Sequence, residues 1–344
     1  MSLAGRQSRG GGKARNSAAA EMTGERPAAP SRSDRTRLRA AWMYYIEQMT
    51  QSDIADVLGV GRVTVVRMLA EARLRNEVKI AIEGELVEIV ALERRLEKRF
   101  GLERAIVAPA SGPEADVTPA IGAATGRYLS EAVESGLRVG VGWGRTLLNC
   151  LPFLTGRQLD DLQVISLLGG IIHARRFNPA EFAWQFAQAF RGNAYLIPAP
   201  ALVDSAETRQ ALIERCGLKD IFEMASALDM VVLSVGGLAA ATTTTHQVGF
   251  LTEEQLDSLK AAGAVGDILF HFIDRQGRIV DHPLNELVMS VGLDKLRHGK
   301  RRILTSGGAD KTEALFGALA VIEPHVLITD EFSARRLLEG GESG

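Results

Sequence analysis

Two sets of residues in this 344-residue chain have types and spacings that could do recognition chemistry. The first lies in Gln51–Ala70, QSDIADVLGVGRVTVVRMLA, where a second short helix after a tight turn would carry Arg62, Val63, Val66 and Arg67 on its outer face. Guanidinium groups can pair with guanine O6 and N7 or with phosphates, and valine methyls can meet thymine methyls in the major groove. Thr64 and Arg73 suit backbone phosphates, which fix register, and Gln51, at the start of the first helix, joins the DNA-facing set. The second set is a series of glycine runs after apolar stretches: Gly140-Val141-Gly142-Trp143-Gly144-Arg145-Thr146, Leu167-Leu168-Gly169-Gly170, Ser234-Val235-Gly236-Gly237 and Ser306-Gly307-Gly308. Glycines between a strand and a helix let backbone N–H groups face an anion or hydroxyls. Lys311, one turn after Gly308, could reach into such a crevice, and Asp267 could accept hydrogen bonds from hydroxyls.

These residues need elements to hold them. A helix-turn-helix crosses two helices steeply, so a small residue must sit at the crossing and a residue tolerant of positive φ in the turn. Ala55 and Gly59 meet those needs, and Ile54, Leu58, Val60, Val65 and Met68 are spaced to plug the interior. Thr50 with Asp53 has the form of a capping box, with Asp in place of Glu or Gln. Gly61 occupies the N-cap of the reading helix, where Ser or Asn would serve better at a difference of a few tenths of a kcal/mol. For the glycine loops the scaffold is an α/β alternation. Apolar runs at Ala105–Ala108, Arg138–Val141, Gln163–Leu168, Ala194–Ile197, Met230–Val235, Ile303–Thr305 and Val326–Thr329 are separated by helical stretches, which predicts a mostly parallel sheet covered by helices. In such sheets ligands sit beyond the carboxyl ends of the strands, where the glycine loops would converge. Ile268–Ile273 and Arg278–Val280 around Asp274-Arg275-Gln276-Gly277 read as a β-hairpin inside the alternation.

The predicted organisation is a disordered tail over 1–33, a helix-turn-helix domain over 34–84 with a short strand or wing at Glu77–Ile82, a linker or dimerisation helix over 85–100, and an effector domain over 101–340. Over Glu85–Phe100 the apolar residues Leu86, Ile89, Leu92, Leu96 and Phe100 recur every three or four positions, as a contact helix requires. Residues 1–80 hold 14 Lys and Arg against 8 Asp and Glu, whereas the rest holds 26 against 34. A basic head on an acidic body suits a polyanion at the head alone.

Several functions are disfavoured. G-x-G-x-G replaces the dinucleotide fingerprint G-x-G-x-x-G, and Asp160 and Asp161 precede the next strand rather than ending it. G-x-S-x-G, H-E-x-x-H and a complete Walker A motif are absent, and the six histidines form no metal-like pair. No catalytic set, metal or cofactor is therefore expected. His271 and His282, near Asp267 and Asp281, are the best acid–base candidates, though such histidines more often pack. Cys150 and Cys216 lack paired spacing, which fits a reducing cytoplasm. No apolar run reaches the ~18 residues of a membrane span, and the N-terminus lacks a signal-peptide core.

As an ordered set, TQSDIADVLGVGRVTVVRMLAEAR, VGVGWGRTL, SLLGG, SVGG, GAVGDILFHFIDRQGRIVD, SGGADKTEAL and VLITDEFSARRLL resemble the SorC family of bacterial sugar-responsive transcriptional regulators over about Arg37–Leu338. The resemblance implies a Rossmann-like effector domain akin to glucosamine-6-phosphate deaminase and ribose-5-phosphate isomerase, without catalysis. It also implies a homodimer or homotetramer whose affinity for operator DNA responds to a sugar, polyol or sugar phosphate. Effector contacts would fall on Gly142, Trp143, Gly144, Arg145, Thr146, Leu168, Gly169, Gly170, Asp267 and Lys311, with Asn178 and Glu181 opening the next helix. Phosphosugar-sensing relatives can carry an arginine where this chain has Leu168, and leucine cannot grip a phosphate. A polyol or free sugar is the ligand this departure favours. The rivals are a sugar-phosphate isomerase or deaminase with an accessory DNA-binding head, and a head used only for oligomerisation.

Overall fold

The computed structural model describes residues 31–75, 77–78, 87–112, 115–171, 178–238 and 251–340. Two compact units divide between residues 82 and 83.

The first unit is built from α1 (Arg32–Tyr45), α2 (Gln51–Leu58) and α3 (Arg62–Leu74). The start of α1 lies before the predicted Asp34, because its signal is polar. Ser31 Oγ accepts the Asp34 N–H while Asp34 accepts the Ser31 N–H, both at 3.1 Å, which closes a capping box. The predicted Thr50–Asp53 box at α2 is also closed. Between α2 and α3, Gly59 turns the chain at φ 65°. Ile54, Ala55, Val65, Leu69 and Ala72 are buried against Ala40, Ala41 and Met43 of α1. Arg37, 3% exposed, ties α1 to the end of α3 through Asp34 and a two-pronged pair with Glu77. Of the expected tail only residues 31–33 are described, and of the expected wing only Glu77 and Val78, both in bends. The remainder of each lies outside the described residues.

The second unit begins with α4 (Val87–Phe100); residues 85 and 86 of the predicted helix also lie outside the described residues. Its Leu92 and Leu96 are buried in the unit's own core. Seven parallel strands follow: β1 (Arg104–Ala108), β2 (Arg138–Val141), β3 (Gln163–Ser166), β4 (Asn193–Tyr195), β5 (Met230–Leu233), β9 (Arg301–Thr305) and β10 (Val326–Asp330), in spatial order β1-β10-β9-β5-β2-β3-β4. Strands such as Met230–Leu233 are apolar and buried throughout, as a parallel sheet covered on both faces requires. The two faces carry separate apolar clusters, one around Leu167, Phe272 and Leu315, the other around Ile121, Phe182 and Phe186.

A small antiparallel sheet of β6 (Gly236–Gly237), β7 (Gly266–Ile268) and β8 (His271–Ile273) interrupts the alternation. The sequence predicts one strand over Ile268–Ile273, but the chain reverses inside it. Leu269 and Phe270 take φ of 53° and 64°, a two-residue type I′ turn normally built from Asn or Gly. The predicted turn Asp274–Gly277 forms as well, with Gly277 at φ 80° and Asp274 N–H donating to Arg278 O at 2.9 Å. Beyond it Arg278–Val280 contributes only the bridge Ile273–Ile279.

No heavy atom lies within 4 Å of a Cβ built on Gly59, so any cost of substitution there is backbone strain alone. Gly59→Ala should lower stability by roughly 1–2 kcal/mol, and Gly59→Asn by less, as measured by urea melts of the full chain followed on the α-helical signal.

Candidate functional site

On the first unit, α3 turns the predicted reading face to solvent. Val63 is 83% and Val66 45% exposed, and Arg62, Arg67 and Arg73 are exposed beside them. Thr64 and Gln51 are half-buried. Gly61 caps α3 with no side-chain hydrogen bond, as its type dictates. Among the described residues none of Arg62, Arg67 and Arg73 takes part in an ion pair. Arg37 is the residue that sequence reasoning missed here. Its signal is a mid-helix arginine on the same face as Ala40, Ala41 and Tyr44, with acids at Asp34 and Glu77 to receive it.

On the second unit, the strand ends form a cleft of about 320 Å³ lined by Ala115, Asp116, Val117, Thr118, Arg145 and Gly307–Lys311. A cavity of about 20 Å³ lies against it, lined by Trp143, Gly144, Ser234, Val235, Gly236, Asp267 and Lys311. Lys311 belongs to both. Two glycines make the loops possible: Gly144 at φ 120°, ψ 170° and Gly308 at φ 109°, ψ 144°, a region that essentially only glycine occupies.

The charged groups here are under strain. Asp267 is 3% exposed; its Oδ2 accepts the Phe270 N–H at 3.1 Å, and its Oδ1 has no partner among the described residues. Burial pushes its carboxyl up to about 6, against the opposing effects of the Phe270 amide and of Lys311. A Cβ on Gly236 would fall 2.4 Å from that Oδ1, so glycine is needed for the acid to sit there. Lys311 is 7% exposed, and burial holds its ammonium below the ordinary lysine range. The Nε of Arg145 is buried without a partner among the described residues. Asp116 accepts the Thr118 N–H at 3.0 Å; burial opposes its ionisation, but Thr118, Arg145 and Lys311 outweigh that and hold it below the usual carboxylate value.

The cleft and its inner cavity thus gather Trp143, Gly144, Arg145, Asp267 and Lys311 from the expected effector set. Gly142 and Thr146 are buried beside them without lining either space. Leu168-Gly169-Gly170 stands elsewhere. Leu168 is 1% exposed in the apolar core, Gly169 N–H donates to Met289 O at 2.9 Å, and Gly170 N–H to Ala199 O at 2.8 Å. A Cβ on Gly169 would lie 2.6 Å from Ala199 O, so close packing explains that glycine. Asn178 caps the helix Pro179–Ala189 by accepting the Ala180 N–H at 3.0 Å, and Glu181 is exposed, paired with Gln185. Sequence reasoning missed Asp116 and Thr118, whose Asp-x-Thr spacing before a helix is the signal of a turn that can face a ligand.

Neither candidate acid–base histidine faces the cleft. His271 is buried against Ser290 Oγ at 2.8 Å, and burial pushes its pKa down to about 4. His282 accepts the Leu284 N–H and meets Ser258 Oγ. Among the described residues no cluster of His, Cys, Asp and Glu could hold a metal ion, and no helix is long and apolar enough to cross a membrane.

An exposed, arginine-bearing helix on one unit and a polar strand-end cleft on the other are what a ligand-responsive transcriptional regulator requires. Residues 85–339 match the family described as "Putative sugar-binding domain". The chain is 31% identical over 303 residues to the deoxyribonucleoside regulator of Bacillus subtilis (strain 168), covering 88% of this chain and 96% of that one. It is 29% identical over 307 residues to the erythritol catabolism regulatory protein EryD of Brucella abortus (strain 2308), covering 89% and 96%. The crystal structure of the full-length sorbitol operon regulator SorC from Klebsiella pneumoniae superposes with a TM-score of 0.68 at 28% identity, over 88% of this chain and 98% of that one. The chain belongs to the SorC family of bacterial sugar-binding transcriptional regulators.

The raised pKa of Asp267 has a measurable consequence. Ionising it in the folded state costs on the order of 3 kcal/mol, so its favourable contribution is complete below the unfolded value and is lost as pH rises through about 6. Asp267→Asn should therefore raise the Tm of the ligand-free chain at pH 7.5, with the advantage shrinking to nothing near pH 4. A lower Tm than wild type at pH 7.5 would show instead that Lys311 holds the ionised form.

Proposed function

We propose that α2 and α3 dock this chain in the major groove of operator DNA and that a polyol or free sugar in the strand-end cleft changes that affinity. The observation that carries the ligand class is the charge balance of the cleft. Arg145 and Lys311 line the same space as Asp116 and Asp310. Two cations offset by two carboxylates suit a neutral ligand whose hydroxyls both donate and accept, whereas a phosphate would meet both acids. The buried, unpartnered Oδ1 of Asp267 adds an acceptor for a hydroxyl. Two relatives carry polyols in their names, erythritol and sorbitol, which supports the class.

In this reading Arg62, Val63, Val66 and Arg67 meet base edges, while Thr64, Arg73 and Gln51 meet phosphates. The domains are a head over 34–84, a linker helix over 85–100 and an effector domain over 101–340. The chain works as a homodimer or homotetramer, so that two heads meet half-sites a whole number of turns apart, and it works in the cytoplasm, where its DNA is. It is not an enzyme: the two histidines suited to acid–base work are engaged outside the cleft, and the relatives are named as regulators.

Two measurements test the proposal. Thermal-shift screening of the full chain should show stabilisation by erythritol, sorbitol or a free sugar, and stabilisation by sugar phosphates alone would overturn the neutral-ligand reading. Arg62→Ala with Arg67→Ala should weaken binding to a duplex selected by the wild-type chain by about tenfold or more and relax its sequence preference. Unchanged affinity would remove α3 as the reading face, and turnover of ribose 5-phosphate or glucosamine 6-phosphate by the full chain would restore the enzyme reading.

A further inference from the structure

The cleft loop is held by one buried carboxylate that also starts a helix. Gly308 N–H donates to Asp330 Oδ2 at 2.8 Å and to Ser333 Oγ at 2.9 Å, and the Ser333 hydroxyl donates to the same Oδ2 at 2.5 Å. The other oxygen, Oδ1, accepts the N–H groups of Phe332 and Ser333 at 2.9 and 3.0 Å, capping the helix Glu331–Glu339. Asp330 is fully buried, and a Cβ on Gly307 would lie 2.1 Å from its Oδ2. The cleft loop and the helix start therefore cannot move independently without breaking a charge-assisted hydrogen bond in a buried site.

That helix in turn grips α4. Arg335 donates to Glu88 Oε2 of α4 at 2.9 Å, and Arg99 of α4 donates to Leu338 O. The second attachment of α4 is to the sheet edge. Glu93 and Glu97, one turn apart, accept the outward N–H groups of Val107 and Ala105 at 3.0 and 3.1 Å, standing where the carbonyls of a further strand would be. One support of α4 is thus the fixed edge of β1, and the other is a helix whose first turn is tied to the cleft. Along the chain, α4 is the first described element after the DNA-binding unit.

We propose that Asp330 is the positioning residue that passes effector occupancy to α4. Resting on the function proposed above, the inference is that a ligand drawing on the Gly307–Gly308 loop shifts the cap of the helix Glu331–Glu339. Arg335 and Leu338 carry the shift to one side of α4, and Glu93 and Glu97 hold the other side, so α4 pivots on the sheet edge. Coupling of this kind is reciprocal, which allows a test that needs no ligand.

Asp330→Asn is the informative variant. Asparagine caps as well as aspartate, so Oδ1 keeps Phe332 and Ser333, while an Nδ2 in place of Oδ2 cannot accept from Gly308. Hydrogen exchange of the full chain, with and without erythritol and sorbitol, reads the result. In wild type, whichever polyol protects the 307–311 amides should also change exchange over residues 87–100. In Asp330→Asn the first effect should persist and the second should fall at least several-fold. Equal transmission to α4 in the variant would overturn the inference. In the ligand-free arm, Arg335→Gln, at an exposed pair that folding does not depend on, should speed exchange of the Gly308 amide several-fold. An unchanged Gly308 amide would overturn the inference even where no polyol binds, whereas absence of polyol binding by itself counts against the proposed function alone.

Discussion

Gly307 approaches Asp330 so closely that a side chain at 307 would overlap the carboxylate, and the next amide, Gly308, is bonded to that carboxylate. Much of the second unit's working geometry follows from this contact. It fixes the end of β10, sets the loop after β9 along the cleft, and starts the helix that packs on α4. A parallel sheet brings its carboxyl ends together in any case. What it does not supply is a loop close enough to its neighbours to expose backbone amides and a lysine to a ligand. That closeness requires glycine on one side and a small, capped acid on the other, and Gly236 against Asp267 repeats the arrangement on β6 and β7.

The second arrangement is costly where the first is not. Asp330 has both oxygens occupied by N–H and O–H donors, so its burial is compensated. Asp267 has one oxygen satisfied and, among the described residues, one left without a partner beside a Lys311 whose ammonium burial disfavours. The turn that supplies its single backbone bond is itself strained, with Leu269 and Phe270 both at positive φ. Strain and an unpaired acceptor thus coincide at one spot, the one that the proposed function assigns to the ligand. A hydroxyl donating to Oδ1 would relieve the acid, and the same contact would tie ligand affinity to the stability of the unit.

How far the sequence reveals this follows from what each signal measures. The helix-turn-helix is legible nearly residue by residue, because its sterics act over four-residue spacings: Ala55, Gly59 and the Thr50–Asp53 box stand as expected. The parallel strands are legible because burial on both faces makes them apolar throughout. The I′ turn at Leu269–Phe270 is not legible, since two bulky apolar residues read as strand interior and only the tertiary setting of Asp267 and Trp143 holds them at positive φ. The glycine loops are half legible. A glycine next to a ligand and a glycine next to another backbone look the same in sequence: Gly144 and Gly308 border the cleft, whereas Gly169 and Gly170 spend their amides on Met289 and Ala199.

The first unit carries acids among its bases and still presents a cationic face. Four of its described acids are engaged in capping or in ion pairs. Asp53 is consumed in capping α2, and Asp34, Glu71 and Glu77 gather around the buried Arg37, with Arg75 beside Asp34 and Glu71. Hydrogen bonds from Ser31 and from Arg37 hold Asp34 down to about 2, and the Arg37 guanidinium lowers Glu77, so both stay ionised on Arg37 across the physiological range. Arg62, Arg67 and Arg73 are left without intramolecular partners among the described residues. Unpaired guanidinium groups on an exposed helix contribute little to folding; their free energy is available to phosphates, with release of counterions. The Arg37 cluster therefore does more than join α1 to α3: by occupying Asp34, Glu71 and Glu77, it keeps those carboxylates off Arg62, Arg67 and Arg73, the residues that the proposed function assigns to DNA.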